Sequence, residues 1–470
     1  MGSLRVRGAL LVGMGALALS ALSGCATTAE VPKLMTWKVE ASHEYVMAGE
    51  ATDAVVNIEL GARMPEGQEQ RVPLNLSLVL DHSGSMSGEQ MEDARQALTY
   101  ILGELHPEDT VSVIAFSTRA VILQEQAEWD DVDQGELFAK IKAVEPIGTT
   151  AMQEALGTAL GQVHARYDGG RINRIILLSD GIPNDATQLT SMAQSARSSN
   201  IGISTFGLGP FYNEDLMAQL ADLSGGNYRF IQKSEDLETF FLAEKKSMEQ
   251  IVARNVHLQV NLGPGIEVVQ TLGAQATLGG RAVSIFIGDF GASDERQIAL
   301  RVKVTAPASG ANVEMIDAQL IWEDVVNWGG NLEHWAYLQA KSTKDQALID
   351  KHHNKIIEEK VGRLEAAWQM EQAIREFEAG KKQEAERRLR SAAQEYRAKR
   401  DEASAYYEFQ SEELGGEMPM PQAGSAAGLG SWDSLLEEAA DELDESEPES
   451  DEGKVLIKKS KAKSRTASGL

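Results

Sequence analysis

Short apolar runs alternate with stretches of helical periodicity between residues 74 and about 241. Between the first two runs, apolar residues recur every three or four positions, which predicts a helix with one buried face. Strands that alternate with helices form a mostly parallel sheet, and right-handed crossovers place the helices on both of its faces. We therefore predict an α/β fold with a doubly wound, mostly parallel sheet for residues 74–250. Its strand candidates are residues 74–80, 111–116, 172–179 and 201–207.

Strict alternation of apolar and polar residues flanks this region on both sides. Val56, Ile58 and Leu60 alternate with polar neighbours within residues 35–73, and the same period of two continues through residues 251–328. This period predicts antiparallel strands with one buried face. Because the N-terminal strands have no core of their own, the simplest hypothesis is that they join the later strands in one β-sandwich. The α/β region would then be an insertion between two parts of one β domain.

The C-terminal part of the chain changes character twice. Residues 329–413 are charged and predict a helical region, a hairpin that turns near Gly380. Residues 414–470 begin with proline, glycine and alanine and continue as an acidic block followed by a basic end. Such a segment has too little apolar surface to order itself, so we predict a linker and a disordered tail.

Length and charge narrow the possible functions. A chain of 470 residues is too long for one hydrophobic core, so several domains are expected. Its 44 basic and 71 acidic residues give a formal charge of -27. Binding to nucleic acid needs a basic face, so this composition argues against a nucleic-acid partner. It favours solubility and cation binding instead.

The N-terminus has the layout of a signal peptide, with Arg5 and Arg7 before an apolar stretch over residues 8–22. The sequence Leu22-Ser23-Gly24-Cys25 that follows resembles a bacterial lipoprotein processing box. The resemblance implies removal of residues 1–24, lipidation of Cys25 and a tether over residues 25–34. The protein is then expected to be exported and lipid-anchored to a bacterial membrane. Ala26 is not the aspartate that retains many lipoproteins at the inner membrane, so the outer membrane is favoured where one exists.

Oxygen-bearing side chains follow the first predicted strand. Asp81, Ser83 and Ser85 alternate, so an extended segment can direct one carboxylate and two hydroxyls at the same point. Asp180 follows the third predicted strand directly. The carboxyl ends of parallel strands lie at one edge of a sheet, where ligands bind in this type of fold. Oxygen donors of this kind suit a hard divalent cation such as Mg²⁺ or Mn²⁺.

The same residues resemble a known motif. Residues 74 to about 241 look like a von Willebrand factor type A domain, whose metal-ion-dependent adhesion site combines an Asp-x-Ser-x-Ser loop, a later threonine and a later aspartate. The loop matches Asp81-His82-Ser83-Gly84-Ser85, and the aspartate matches Asp180 in Leu177-Leu178-Ser179-Asp180-Gly181. Thr150 is the better match for the threonine, with Thr149 as the alternative register.

This resemblance implies a function. The predicted metal ligands are Asp81, Ser83, Ser85, Thr150 and Asp180, around Mg²⁺ first and Mn²⁺ or Ca²⁺ as alternatives. A carboxylate from a partner protein would complete the coordination, so that metal and partner bind together. The rim of the site is expected to include His82, Met86 and Thr149.

Catalytic and zinc-binding readings are weaker. The segment Gly84-Ser85-Met86-Ser87-Gly88 looks like a nucleophile elbow, but its central residue is methionine where the motif needs serine. His43-Glu44 begins like a zinc-protease motif, but Met47 occupies the position of the second histidine. His352 and His353 are interpreted as surface residues. We therefore predict no enzymatic activity.

Two functions remain open. The first is a lipid-anchored envelope protein that binds a partner protein through a cation-dependent adhesion site. The second is a structural envelope lipoprotein in which the α/β domain is a metal-stabilised scaffold. Dependence of partner binding on the metal distinguishes them.

Overall fold

The computed structural model describes residues 27–30, 34–63, 71–326, 330–414 and 431–467. The predicted signal peptide, half of the predicted tether and Cys25 lie outside the described residues. Within those ranges, no helix combines the length and the apolar character that a bilayer span requires. The first strands are β1 (Thr27–Glu30), β2 (Met35–Ala41), β3 (Tyr45–Met47) and β4 (Ala51–Ala62).

Strands and helices then alternate. The strands are β5 (Leu74–Asp81), β6 (Thr110–Phe116), β7 (Ala120–Glu128), β8 (Ile172–Ser179), β9 (Ile201–Leu208) and β10 (Tyr228–Ile231). The helices are α1 (Glu89–Gly103), α2 (Gln134–Lys142), α3 (Met152–Ala165), α4 (Leu189–Ser198), α5 (Glu214–Ser224) and α6 (Leu237–Glu249).

These strands form one sheet in the order β10-β9-β8-β5-β6-β7. All neighbours are parallel except β7, which pairs antiparallel with β6 at the edge. Strands β5, β6, β8 and β9 are buried along their whole length, because helices α1, α2 and α6 cover one face and α3, α4 and α5 the other. The predicted α/β fold is confirmed. Burial on both faces explains why these strands read as continuous apolar runs.

The remaining strands form a sandwich. They are β11 (Ile251–Leu262), β12 (Ile266–Leu272), β13 (Ala276–Gly279), β14 (Ala282–Gly291), β15 (Glu295–Thr305), β16 (Asn312–Asp324) and β17 (Gly330–Thr343). One sheet has the order β1-β2-β4-β15-β12 and the other β13-β14-β11-β16-β17-β3. In the first, Ile58 of β4 faces Ile298 of β15. Residues from both sides of the α/β unit therefore share one β core, which includes Trp37 and Trp322.

The prediction of a helical region from residue 329 is wrong at its beginning. Residues 330–343 form β17, a strand that pairs with β16 and β3. Ala336, Leu338 and Ala340 point into the core, whereas Trp335 and Tyr337 at alternate positions are exposed. Because aromatic side chains occupy the outer face and two of the three inward residues are alanines, the period of two is hidden in the sequence.

Helices make up the rest of the described chain. They are α7 (Gln346–Lys351), α8 (Lys355–Glu378), α9 (Lys382–Leu414), α10 (Trp432–Glu445) and α11 (Asp451–Ala467). The predicted hairpin corresponds to α8 and α9, and Gly380 between them has a φ of 76°, a conformation that glycine adopts without strain.

The prediction of a disordered tail is wrong for residues 431–467. Helix α10 buries Trp432, Leu436 and Leu443 against the hairpin. Helix α11 lies between α8 and the α/β unit, where Lys461 pairs with Asp215 at 3.0 Å. The tail alone has too little apolar surface to fold, but acidic residues of the α/β unit pair with α11 and supply the missing contacts. Residues 415–430 of the predicted linker lie outside the described residues.

Limited trypsin digestion tests whether α11 is folded against the rest of the protein. Trypsin should cleave slowly after the basic residues of α11 in the intact chain. The change Leu456→Asp should speed this cleavage about tenfold or more. A buried carboxylate opens the helix, and each 1.4 kcal/mol of opening free energy changes the open population about tenfold. Leu456 is 5 % exposed, whereas Glu452 on the same helix is exposed, so Glu452→Gln is the matched control. Equal, fast cleavage of all three proteins, measured by mass spectrometry, would show that the tail is unfolded in solution.

Candidate metal centre

Asp81 and Asp180 lie side by side at one edge of the parallel sheet. Strands β5 and β8 are neighbours with Leu80 paired to Leu178, so the residues that follow them emerge together. Asp81 is fully buried, and its Oδ2 accepts a hydrogen bond from the hydroxyl of Ser179, which immediately precedes Asp180. The topology therefore brings together two carboxylates separated by almost one hundred residues.

The loop after β5 folds over these carboxylates. The backbone N–H of Ser83 donates to Asp81 Oδ1 at 2.8 Å, which turns the chain into a short 3₁₀ segment, Gly84–Met86. The hydroxyl oxygens of Ser83 and Ser85 are 3.1 Å apart, and Ser85 Oγ donates to Asp180 Oδ1 at 2.7 Å. Ser83 is buried and Ser85 exposed, so the group of oxygens leads from the interior to the surface.

Thr150 belongs to this group of oxygens and Thr149 does not. A Cβ atom on Gly181 would lie 2.8 Å from Thr150 Oγ1 and 3.6 Å from Asp81 Oδ2. Both oxygens therefore approach the same point, which only a glycine leaves open. Thr150 is buried, whereas Thr149 is exposed and its hydroxyl accepts from Asn184 Nδ2 at 2.8 Å. Of the two registers left open by the sequence, the geometry favours Thr150.

The electrostatics of the group favour a bound cation. Burial raises the pKa of Asp81, and it raises the pKa of Asp180 to about 6 against the opposing effect of the hydrogen bond from Ser85. No lysine or arginine in the described part of the chain pairs with either carboxylate. Two buried carboxylates without a countercharge are costly, and oxygen-only donors match what hard divalent cations accept. The residues present therefore fit a divalent cation.

The structure places the predicted rim residues differently. Met86 was predicted at the rim, but it is fully buried in the core between the sheet and α1, because the 3₁₀ turn directs this apolar side chain inward. His82 is half-buried, and its Nδ1 lies 2.8 Å from the carbonyl oxygen of Glu145, so it holds the neighbouring loop. Thr149 stays at the exposed margin.

Gln90 contacts the site and was missed by sequence reasoning. Oriented with its amide nitrogen toward acceptors, it donates to the carbonyl of Ser85 and to Asp180 Oδ2, both at 3.2 Å. It lies in the first turn of α1, directly after the loop. Its position next to the helix start is the only signal that the sequence offered.

Three exposed apolar side chains lie on loops at the same edge of the sheet as the centre. Ile147, Ile182 and Phe211 are 65 %, 65 % and 55 % exposed. Each lies on a different loop at the carboxyl edge of the sheet: before α3, after β8 and after β9. Ile147 is tied to the loop after β5, since its N–H donates to the carbonyl of His82 at 2.8 Å. Grouped exposed apolar residues with a polar centre are typical of a protein interaction surface.

Comparison with known proteins agrees with this architecture. Residues 74–230 match the sequence profile of the von Willebrand factor type A domain. This segment is a von Willebrand factor type A domain. Such domains generally mediate protein interactions, occur mostly in adhesion or scaffold proteins and often bind a divalent cation.

Similar sequences come from bacteria and animals. The chain is 28 % identical over 285 residues to the uncharacterized protein sll0103 of Synechocystis, covering 58 % of this chain and 66 % of that protein. It is 30 % identical over 196 residues to the uncharacterized protein YfbK of Escherichia coli, covering 40 % and 34 %. It is 29 % identical over 184 residues to human inter-alpha-trypsin inhibitor heavy chain H4, covering 37 % and 20 %. The chain thus spans between a fifth and just under two thirds of these relatives.

Two solved structures share the fold over most of the chain. A von Willebrand factor type A protein from Catenulispora acidiphila superposes with a TM-score of 0.64 at 19 % identity, covering 80 % of this chain and 88 % of that one. The ArnB paralog VWA2 from Sulfolobus acidocaldarius gives a TM-score of 0.58 at 17 % identity, covering 93 % and 99 %. The combination of an A domain with antiparallel sheets and C-terminal helices is therefore an established architecture.

Proposed function

We propose that this protein is a lipid-anchored protein of the bacterial cell envelope that binds a partner protein through a divalent cation on its A domain. Mg²⁺ is the proposed cation, with Mn²⁺ or Ca²⁺ as alternatives. The observation that carries the proposal is the convergence of Asp81, Ser83, Ser85, Thr150 and Asp180 into one oxygen cluster without a countercharge among the described residues, at a sheet edge whose loops carry exposed apolar side chains.

The residues of the cluster have different proposed roles. Asp81 is held by Ser179 and by the backbone of Ser83, so its position is set before any cation arrives. Ser85 is the outermost ligand, and its hydroxyl is already aligned on Asp180. A bound divalent cation supplies an electrophilic position that a partner carboxylate can occupy. Few anionic donors surround that position, so much of the positive charge stays available to the partner.

The partner would contact the apolar loops as well as the bound cation. Ile147, Ile182 and Phe211 would pack against the partner around its carboxylate and exclude water from it. Desolvation strengthens the contact between a carboxylate and a cation, since the effective dielectric constant falls. Metal and partner therefore bind cooperatively, each raising the affinity for the other.

Binding rather than catalysis is proposed for this site. The Ser85 hydroxyl donates to Asp180 and not to a histidine base, and the His82 ring is engaged by the Glu145 carbonyl. A nucleophilic serine needs a base that accepts its proton and a third group that orients the base. The hydrogen bond from Ser85 to Asp180 supports the proposed role of Ser85 as a metal ligand.

The location of the protein is proposed from its N-terminus. The basic and apolar leader and the Leu22-Ser23-Gly24-Cys25 sequence support export and lipidation, with the outer membrane favoured where one exists. An acyl chain contributes about 0.8 kcal/mol per buried methylene, so a multiply acylated Cys25 would hold the chain at the membrane.

A scaffold function is the alternative, favoured by how firmly the A domain is held. Arg174 of β8 pairs with Asp289 of β14 at 2.9 Å, and Arg465 of α11 pairs with Asp222 of α5. Contacts from the sandwich and from the tail thus reach the A domain from two directions. In that case the cation would stabilise the assembly and no partner would depend on it.

A capture experiment separates the two functions. The full chain on beads, incubated with envelope extract in Mg²⁺, is expected to retain a partner that chelator releases. The double change Ser83→Ala and Ser85→Ala should abolish retention, since it removes two of the proposed ligands. Ser87→Ala, on the exposed end of the same loop, is the matched control and should bind normally. Equal retention by the double variant, or with chelator present, would leave only the scaffold function.

A further inference from the structure

A second group of metal-ligating side chains lies outside the A domain. His43, His353 and Glu358 each place one ligand atom within 4.8 Å of the others. His43 follows β2, His353 lies between α7 and α8, and Glu358 is in the first turn of α8. More than three hundred residues separate the first from the other two, so the group exists only in the folded chain.

The two histidine rings are closely packed. Their centroids are 4.0 Å apart and their planes differ by 27°. His353 Nε2 lies 3.2 Å from Glu358 Oε1. His43 is buried, whereas His353 and Glu358 are partly accessible, so the group can be reached from solvent on one side.

A hydrogen bond with Ser42 orients the His43 ring. Its Nδ1 lies 2.9 Å from the hydroxyl oxygen of Ser42, which also accepts the N–H of Val55 at 2.9 Å. The second lone pair of that oxygen can accept a hydrogen bond from a protonated Nδ1. In this tautomer Nε2 carries no proton, so its lone pair is available to a metal. Ligating histidines commonly donate their second ring nitrogen to an oxygen in this way.

The backbone holds the two halves together without a ligand. The N–H of Asn354 donates to the carbonyl of Ser42 at 2.8 Å, and His43 and His353 form an isolated bridge. The Asn354 side chain accepts from the N–H groups of Ile356 and Ile357, which caps α8 and sets the direction of Glu358. The ligand atoms are therefore brought close by structure that does not depend on them.

The three side chains are of the types that coordinate zinc. Imidazole nitrogen and carboxylate oxygen are both common zinc ligands in proteins.

We propose that His43, His353 and Glu358 form a binding site for Zn²⁺ that joins the N-terminal strands to the helical region. Two donors on tetrahedral zinc are about 3.3 Å apart, given zinc–ligand distances near 2.0–2.1 Å. The His353–Glu358 separation of 3.2 Å already matches that value, and the two stacked rings would turn so that their nitrogen lone pairs converge on the ion. Zinc enters between His353 and Glu358 and replaces the hydrogen bond that they share.

The site differs in chemistry from the oxygen cluster of the A domain. Imidazole nitrogen favours zinc and similar transition metals, whereas hydroxyl and carboxylate oxygens favour Mg²⁺, Mn²⁺ or Ca²⁺. The two sites can therefore be occupied separately, and the zinc proposal does not depend on the function proposed for the A domain.

Titration with Co²⁺ as a spectroscopic substitute for zinc tests the proposal. The full chain is kept in excess Mg²⁺ so that the oxygen cluster is saturated. One equivalent of Co²⁺ should produce the intense visible bands of a four-coordinate, nitrogen-ligated ion, and Zn²⁺ should displace it. Octahedral Co²⁺ bound only by oxygen absorbs weakly, so a Co²⁺ ion on the A domain would not give this signal.

Variants of the group decide the outcome. His353→Ala and the isosteric Glu358→Gln should each lower the affinity by more than about a hundredfold, since even second-shell changes cost 10- to 100-fold. His352→Ala is the matched control, because this neighbour pairs instead with Glu44 at 3.0 Å. Absence of the bands in the unaltered chain, or their persistence in both folded variants, would overturn the proposal.

Discussion

Replacing Asp81 by asparagine is expected to abolish the stabilisation of this protein by Mg²⁺ while leaving the metal-free chain folded. Asparagine keeps the size of the side chain, can accept the N–H of Ser83 and can donate to the hydroxyl of Ser179. The charge that draws the cation is lost. At a Mg²⁺ concentration of a hundred times Kd, binding stabilises a folded protein by about 2.7 kcal/mol, and this increment should disappear.

The stability of the variant without metal is a second, independent test. Asp81 is fully buried and has no countercharge among the described residues, so removal of its charge relieves a desolvation cost. The variant without metal is therefore expected to be at least as stable as the unaltered chain. Chemical unfolding with and without Mg²⁺ measures both quantities.

Asp185→Asn provides the control. Asp185 lies on the loop after β8 close to the site in sequence, but it is exposed and accepts from the N–H and hydroxyl of Thr187. It should retain the full effect of Mg²⁺. Undiminished stabilisation of the Asp81→Asn variant would mean that the cation binds elsewhere, and the proposed function would then lose its basis.

The change Arg174→Met is expected to be the most destabilising single substitution at the junction between the A domain and the sandwich. Arg174 is 2 % exposed, pairs with Asp289 at 2.9 Å and donates to the carbonyl of Gly225 at 3.2 Å. Burial raises the pKa of Asp289, while Arg174 and then Arg254 oppose that rise. Removing Arg174 leaves a carboxylate that is 19 % exposed and keeps Arg254 as a basic neighbour, so the expected cost is at the lower end of the about 3–5 kcal/mol for breaking a buried ion pair.

A double variant distinguishes the lost charge pair from lost packing. Asp289→Asn removes the carboxylate but keeps an oxygen for the N–H of Asn255, which lies 3.3 Å from Asp289 Oδ1. The combination with Arg174→Met should recover much of the lost free energy of unfolding. If the double variant is as unstable as Arg174→Met, the cost comes from the space that the arginine fills beneath Gly202 and not from the unpaired carboxylate.

The tail affects the proposed binding surface as well as the fold. Phe211 at the rim lies beneath the ammonium group of Lys454, which is 5.3 Å from the centre of its ring. Further along α11, Lys458 donates to the carbonyl of Tyr212 at 3.2 Å. The last helix of the chain therefore supports the loop after β9 that carries Phe211. A partner that uses the rim meets a surface built by residues more than 240 positions apart.

Much of the α/β unit and its centre was determined by the sequence itself. Strands β5, β6, β8 and β9 are continuous apolar runs because helices cover both of their faces. Such a run can be recognised within each segment by itself. Asp81 and Asp180 directly follow two of these runs, so the parallel topology was enough to predict that they meet. The choice between Thr149 and Thr150 was beyond that argument, because adjacent residues on a loop have no periodicity.

Tertiary structure alone decided the remaining features. Strand β17 carries Trp335 and Tyr337 outward, so its period of two shows only once the sheet has formed around Ala336 and Leu338. Helices α10 and α11 are ordered by surfaces that other segments build, and His43 meets His353 and Glu358 across more than three hundred residues. Local patterns encode the period of an element and its buried face. They do not encode which distant charge or ring will lie opposite, because that depends on how all of the elements pack together.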